Sequence, residues 1–383
     1  MTQENPVPPP DEQSPAGGVG HDQPVPSPLR ALMSRGWADT DRAAGLSALP
    51  VAAHAAKRRA ALSARFPGET LVVPTGGYVT RANDTDYPFR AGSDYAWLVG
   101  DLEPDGVLVM THEGDSHRAV VYVPARSDRA SGRFFTDRRY GELWVGPRWG
   151  VEEVAVAYEV TTADLDELPA VLAAAPGARV RRGEDPRVEA MLAEPDSARD
   201  AELAAALSEL RLVKDDLEVA LLEEAVAATV VGFEECVREL STARGLPRGE
   251  RWLEGTFWRR ARTDGNDVGY GSIVACGPHA TVLHWTRDDG PVRDGDLALL
   301  DMGVESTALY TADVTRTLPV SGRFTDVQRR VYDLVWRAQR AGIEAVRPGA
   351  SFLDPHRASM QVIAEALVAW GLLDGPVAAV LEQ

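Results

Sequence analysis

Two acidic residues stand where a soluble chain ordinarily keeps apolar ones. Asp301 interrupts the near-continuous apolar run DLALLDMG, and Asp313 directly precedes the β-branched run VTRTLPV. Both runs read as strands, and strands joined by the 304–311 connection would lie antiparallel. Their inward faces would then bring Asp301 and Asp313 together. Two unpaired carboxylates in an apolar sheet are costly, through desolvation and mutual repulsion. A bound divalent cation removes that difficulty, and oxygen-rich sites suit Mn²⁺, Mg²⁺ or Ca²⁺. A bridging carboxylate holds two metals about 3.5–4 Å apart and activates a water between them. The plainer alternative places one Asp in a turn or helix cap and pairs the other with Arg316. Spacing alone leaves both open.

Helices must flank such strands. Leu217, Leu221, Ala225, Ala228, Thr229, Phe233, Cys236, Val237 and Leu240 recur at helical spacing, and Gly245 and Pro247 end that helix. Cys236 falls in the stripe and reads as core. A second helix starts at Thr325, with Gln328 completing a capping box. Val327, Val331, Leu334, Val335 and Ala338 form its expected buried face, and Arg347-Pro348-Gly349 stops it. A third helix covers roughly 352–370. Upstream, 50–64 reads as a helix. The segments 71–76, 95–101, 106–111 and 119–125 read as strands between Gly, Asp and Pro turns, and 163–174 and 185–208 read as helical. This alternation predicts an α/β (α+β) chain. Its expected parts are a disordered Pro/Gly-rich tail over 1–44, a domain over 45–190, a helical connector over 191–210 and a second domain over 211–383.

The chain has 383 residues, 44% of them apolar, with 40 basic and 58 acidic side chains and a formal charge of −18. Its length suffices for two domains. A strongly acidic chain repels phosphate, so nucleic acid is not expected as a partner. Two cysteines, Cys236 and Cys276, give no disulfide framework, and a reduced, cytoplasmic setting is expected. No run of about 18 apolar residues predicts a membrane span, so no membrane partner is expected. A secretory signal is not visible either.

The run of motifs resembles the pita-bread metallopeptidases, and within them the Xaa-Pro aminopeptidases. It includes Arg211-Leu212-x-Lys214 with Glu218, Ser272-Ile273-Val274-Ala275, Leu283-His284-Trp285 and Asp296. It continues through Leu300-Asp301-x-Gly303, Asp313-Val314-Thr315-Arg316-Thr317 and the segment from Pro319 to Thr325. Upstream, Thr80-Arg81-Ala82-Asn83-Asp84, Tyr87-Pro88-Phe89-Arg90 and Ser93-Asp94 are similar to that family's amino-terminal domain. The resemblance covers about 45–383. It implies an aminopeptidase-P-type α/β domain followed by a pita-bread domain. It also implies dinuclear-metal hydrolysis of the N-terminal residue preceding proline, with Mn²⁺ as cofactor, two per complete site, and other divalent cations as alternatives. By position, Asp301 binds one metal, Asp313 bridges both, and His284 lies beside the substrate and stabilises the tetrahedral intermediate. Tyr95, Trp97 and Arg148 are implied on the substrate side, with a core or surface role as the alternative for each. A proline-containing peptide is the implied partner, and a homo-oligomer the implied assembly.

Two departures accompany the resemblance. Asp301 and Asp313 are twelve positions apart, one more than the commonest family pattern. A turn or bulge could absorb the extra residue; inside a strand it would turn one carboxylate away. The family's remaining ligands are a histidine and two glutamates on later strands. His356, Glu344, Glu365 and Glu382 fall in helical or terminal context, and His279 reads as a turn residue. The sequence therefore predicts a pita-bread domain lacking three ligands and roughly a hundred residues. The rival readings are a non-catalytic truncated or degenerate relative and a prolidase-like or creatinase-like activity.

Overall fold

The computed structural model describes residues 26–38, 42–83, 85–127, 129, 132–192 and 196–381. Asp84, Glu382 and most of the expected disordered tail lie outside them. The chain divides into two units at Leu221.

In the first unit, helix α1 (Ser27–Met33) stands within the expected tail and buries no side chain. Pro28 near its start is compatible with a first helical turn. Helix α2 (Val51–Ser63) buries Ala52, Ala55, Arg58, Arg59 and Leu62 along one side. Strand β1 (Leu71–Pro74) and the hairpin β2 (Thr80–Ala82) and β3 (Thr85–Asp86) come next, then helix α3 (Ser93–Val99), β4 (Val107–Glu113) and β5 (Ser116–Val123). Short helices α4 (Arg133–Thr136) and α5 (Glu142–Val145) lead to α6 (Val151–Tyr158), β6 (Thr161–Asp164), α7 (Leu168–Ala173), β7 (Arg179–Val180), α8 (Pro186–Glu189) and α9 (Ser197–Leu212).

The main sheet has the order β6-β5-β4-β1-β7. Its three inner strands pair antiparallel, and β6 and β7 add parallel at the edges. Alternate residues serve two cores. Leu71, Val73, Leu108, Met110, Val121 and Val123 pack with α2, α3, α6 and α9, whereas Val72, Val107, Val109 and Tyr122 pack with α7 and α8. That is the period-two geometry of a sheet covered on both faces.

Two expectations are corrected here. Within 95–101, Tyr95 to Val99 belong to a helix, not a strand. A short buried apolar run fits either element by periodicity, and Gly100 at φ +92° ends this one as a helix, where a Cβ would meet the Val51 side chain. The 185–208 stretch is not continuous: α8 stops after one turn, and Asp196 caps a fresh start by accepting from the Ala198 and Arg199 amides.

Helix α10 (Asp216–Ala243) spans the boundary at Leu221. The second unit continues with α11 (Gly249–Asp264), β8 (Asp267–Val268), β9 (Ile273–Cys276), β10 (Leu297–Met302), β11 (Val304–Glu305) and β12 (Val314–Pro319). Helices α12 (Asp326–Ala345), α13 (Asp354–Ala369) and α14 (Val377–Leu381) follow. Strands β12, β10 and β9 form an antiparallel sheet, and β11 pairs with β8. The buried side of β10 packs on Phe233, Cys236, Leu253 and Phe257. Thr325 and Gln328 cap α12 reciprocally. Its expected buried face is only half buried. Leu334 and Ala338 are covered, whereas Val327, Val331 and Val335 are 74%, 46% and 57% exposed. Ser359 of α13 donates to the Ala338 carbonyl at 2.9 Å, which places α13 on the covered side.

Candidate metal centre

Strand β10 alternates strictly: Ala298, Leu300 and Met302 point into the core, while Leu297, Leu299 and Asp301 share the half-buried opposite face. In the β10–β12 register Asp301 lies opposite Thr315. Asp313 is two residues before Thr315 and so shares the Asp301 face. The twelve-residue spacing is taken up outside the ladder. Ser306 N–H donates to the Tyr310 carbonyl at 2.8 Å, and Leu309 closes that turn at φ +65°. Gly303 is required for the close approach, since a Cβ there would collide with the Ala312 carbonyl oxygen.

The two carboxylates meet at Tyr270. Its hydroxyl lies 2.8 Å from Asp301 Oδ1 and 3.1 Å from Asp313 Oδ1. The two oxygens are therefore no farther apart than the sum of those distances, about 6 Å. Burial and the two carboxylates hold the phenol above its ordinary range, so it remains a donor with one proton for two acceptors. Arg316 does not compensate the pair: its guanidinium donates to the Thr315 carbonyl at 2.8 Å. Among the described residues no ion pair involves Asp301 or Asp313, and no group of three or more His, Cys, Asp or Glu converges. Two hard oxygen donors without a cationic partner are chemically suited to a hard divalent cation.

Tyr270 was missed as a site residue in the sequence. It stands three positions before the buried strand β9, and nothing local marks its hydroxyl as aimed at residues 31 and 43 positions away. His284 lies in the exposed stretch 281–287, and among the described residues its imidazole has no hydrogen-bond partner. His279 sits in the 3₁₀ turn Gly277–Thr281, with Nδ1 2.8 Å from Glu250 Oε1. His356 is an exposed residue of α13.

Tyr95 and Trp97 stand in one hydrophobic core of the first unit. Tyr95 is fully buried and donates to Asp101 Oδ2 at 3.1 Å. Burial pushes the Asp101 carboxyl up to about 6. Trp97 is 6% exposed, donates to Glu218 Oε1 at 3.1 Å and has the Arg58 guanidinium over its ring at 5.4 Å. Their burial is that of core residues. Arg148 stands over the Tyr140 ring at 4.6 Å, with Nε 3.8 Å from Glu103. Cys236 and Cys276 are buried and unbridged, and burial pushes both thiols up to about 12.

Comparisons agree across both units. Residues 55–180 match the aminopeptidase P N-terminal domain, and residues 220–377 match metallopeptidase family M24. Xaa-Pro aminopeptidase 1 of Streptomyces coelicolor is 54% identical over 360 residues, 94% of this chain and 72% of that protein. The Xaa-Pro aminopeptidase of Haemophilus influenzae is 31% identical, over 79% of this chain and 69% of that one. Among solved structures, an Escherichia coli aminopeptidase P variant superposes with a TM-score of 0.75 at 27% identity, covering 88% of this chain and 78% of that chain. Pseudomonas aeruginosa aminopeptidase PepP gives 0.73 at 26%, covering 88% and 77%. With its paired carboxylates on the sheet face and this identity along both units, the chain belongs to the Xaa-Pro aminopeptidases of metallopeptidase family M24.

Proposed function

We propose that the protein is a metal-dependent aminopeptidase that releases the N-terminal residue preceding proline, with Asp301 and Asp313 holding the metal and Mn²⁺ as its first candidate. The observation that carries this reading is the convergence of both carboxylates on the Tyr270 hydroxyl. The relatives named Xaa-Pro aminopeptidases support the reaction class, and a zinc-substituted Escherichia coli aminopeptidase P with product, at a TM-score of 0.71, supports divalent metal use. When bound, the metal supplies Lewis acidity and an activated water.

The chain's own groups do the rest. Tyr270 orients Asp301 Oδ1 and Asp313 Oδ1 by sharing its single proton between them. His284, in the exposed stretch 281–287, hydrogen-bonds the substrate as charge develops on its carbonyl. The substrate is a peptide with proline in second position. A reducing, cytoplasmic setting suits two buried, unbridged cysteines, and a homo-oligomer belongs to the same reading.

The test is Mn²⁺-dependent release of the N-terminal residue from a proline-second peptide, against the same peptide with alanine second. Asp301→Asn and Asp313→Asn are each expected to lower turnover at least roughly 10²-fold. A second reading, a metal-binding relative without turnover, is favoured by one observation: no third ligating side chain joins the pair among the described residues. Metal binding with no release of the residue would select it.

A further inference from the structure

Glu250, in the first turn of α11, is fully buried, and the proposed reaction does not use it. Its carboxylate meets four nitrogens, all from the segment 276–290. Oε1 accepts from the Cys276 amide at 2.8 Å and lies 2.8 Å from His279 Nδ1. Oε2 accepts from the Trp285 indole at 3.0 Å and from the Gly290 amide at 2.6 Å. The Glu250 amide returns a bond to the Gly290 carbonyl at 3.1 Å. A buried carboxylate is tolerated only with such saturation. With three other N–H groups donating to this carboxylate, His279 Nδ1 is placed to supply the fourth.

The four donors sit at both ends and in the middle of a segment whose centre is exposed. Trp285 directly follows His284. Its ring stacks on His279 at 3.8 Å and 22°, and the Arg287 guanidinium lies over it at 4.8 Å. His284 has no side-chain partner of its own among the described residues. Its chain neighbour Trp285 is the residue bonded to Glu250. Gly290 completes the arrangement, since a Cβ there would press on both the His279 ring and the Glu250 carboxylate.

We infer that Glu250 is a positioning residue for His284, acting through Trp285 and His279 without touching substrate. This rests on the reading that His284 acts beside the substrate. Glutamine keeps the shape of Glu250 but not its chemistry. Whichever way the amide turns, the Cys276 or the Gly290 amide N–H faces an NH₂ group.

The experiment is a double-mutant cycle on the Mn²⁺-loaded protein with a proline-second peptide. Glu250→Gln is expected to lower kcat about 10–100-fold with little change in KM and unchanged Mn²⁺ affinity. In a His284→Ala background the same substitution is expected to change kcat less than about 2-fold, because the group it positions is gone. Additive losses in the double variant, or an unaltered kcat in the single one, would overturn the inference. Wild-type protein that binds Mn²⁺ without turnover sinks the proposed activity instead. The inference is then read by hydrogen exchange, where Glu250→Gln must deprotect the Cys276 and Gly290 amides, and unchanged protection refutes it. Should Glu250→Gln not fold, Trp285→Phe keeps an aromatic ring, removes the indole N–H and reads the same contact in the same cycle.

Discussion

Tyr270 offers one proton to two carboxylates, so one of them always lacks a full bond. Tyr270→Phe removes that proton and leaves both oxygens free to swing. Mn²⁺ affinity should fall roughly 10-fold, as for other groups that orient metal ligands, and titration calorimetry reads it. A second residue sets a pH dependence. Asp288 is buried, and burial pushes its carboxyl up to about 7, although it accepts the Val274 amide at 2.8 Å. Its unfolded value is about 4. Between the two values the native state keeps a proton that the unfolded chain has released. The group's contribution to stability is therefore fully present below about pH 4 and is lost as pH rises through about 7. Asp288→Asn can still accept from Val274. It should flatten that part of the slope when urea unfolding is followed from pH 4 to 8. An unaltered slope would show that Asp288 is not the group responsible.

At the scale of elements, the pairing of Asp301 and Asp313 was legible because strand periodicity is local. The runs around the two acids fixed which side chains share a face, and an antiparallel connection did the rest. The capping box at Thr325 was legible for the same reason. Tyr270 was not, since its role depends on a non-local fold of the chain. Residues 95–101 were misread because a buried run of that length carries no period of its own; the stop at Gly100 decides it. The apolar stripe of α12 was visible, but what covers each part of it was not, and only the side under α13 is buried. Gly303 is the element-level test. A Cβ there must push β10 and the start of β12 apart, so Gly303→Ala should cost about 1–3 kcal/mol in urea unfolding and weaken Mn²⁺ binding as the carboxylates separate. Full stability would mean that the close approach to Ala312 is not needed.

At the scale of the whole molecule, each unit carries its own core, and the carboxylate pair belongs to the second. No helix among the described residues is long and apolar enough to cross a membrane. The chain spans 72% of the length of its Streptomyces coelicolor relative, and the shared stretch takes in both family domains. Composition alone bounded the partners without naming any; the succession of motifs along both units carried the family. Within the second core Leu300 is fully buried beside Asp301. Leu300→Ala should cost about 2–5 kcal/mol in urea unfolding. A cost below about 1 kcal/mol would mean that the core under the site is loosely packed.

In the proposed function, Asp301 and Asp313 together hold a divalent cation. Calorimetric titration of Mn²⁺ into the wild-type protein, Asp301→Asn and Asp313→Asn tests it most directly. A saturable binding heat is expected in the wild type and is abolished by either substitution. Equal Mn²⁺ binding by all three proteins would contradict it.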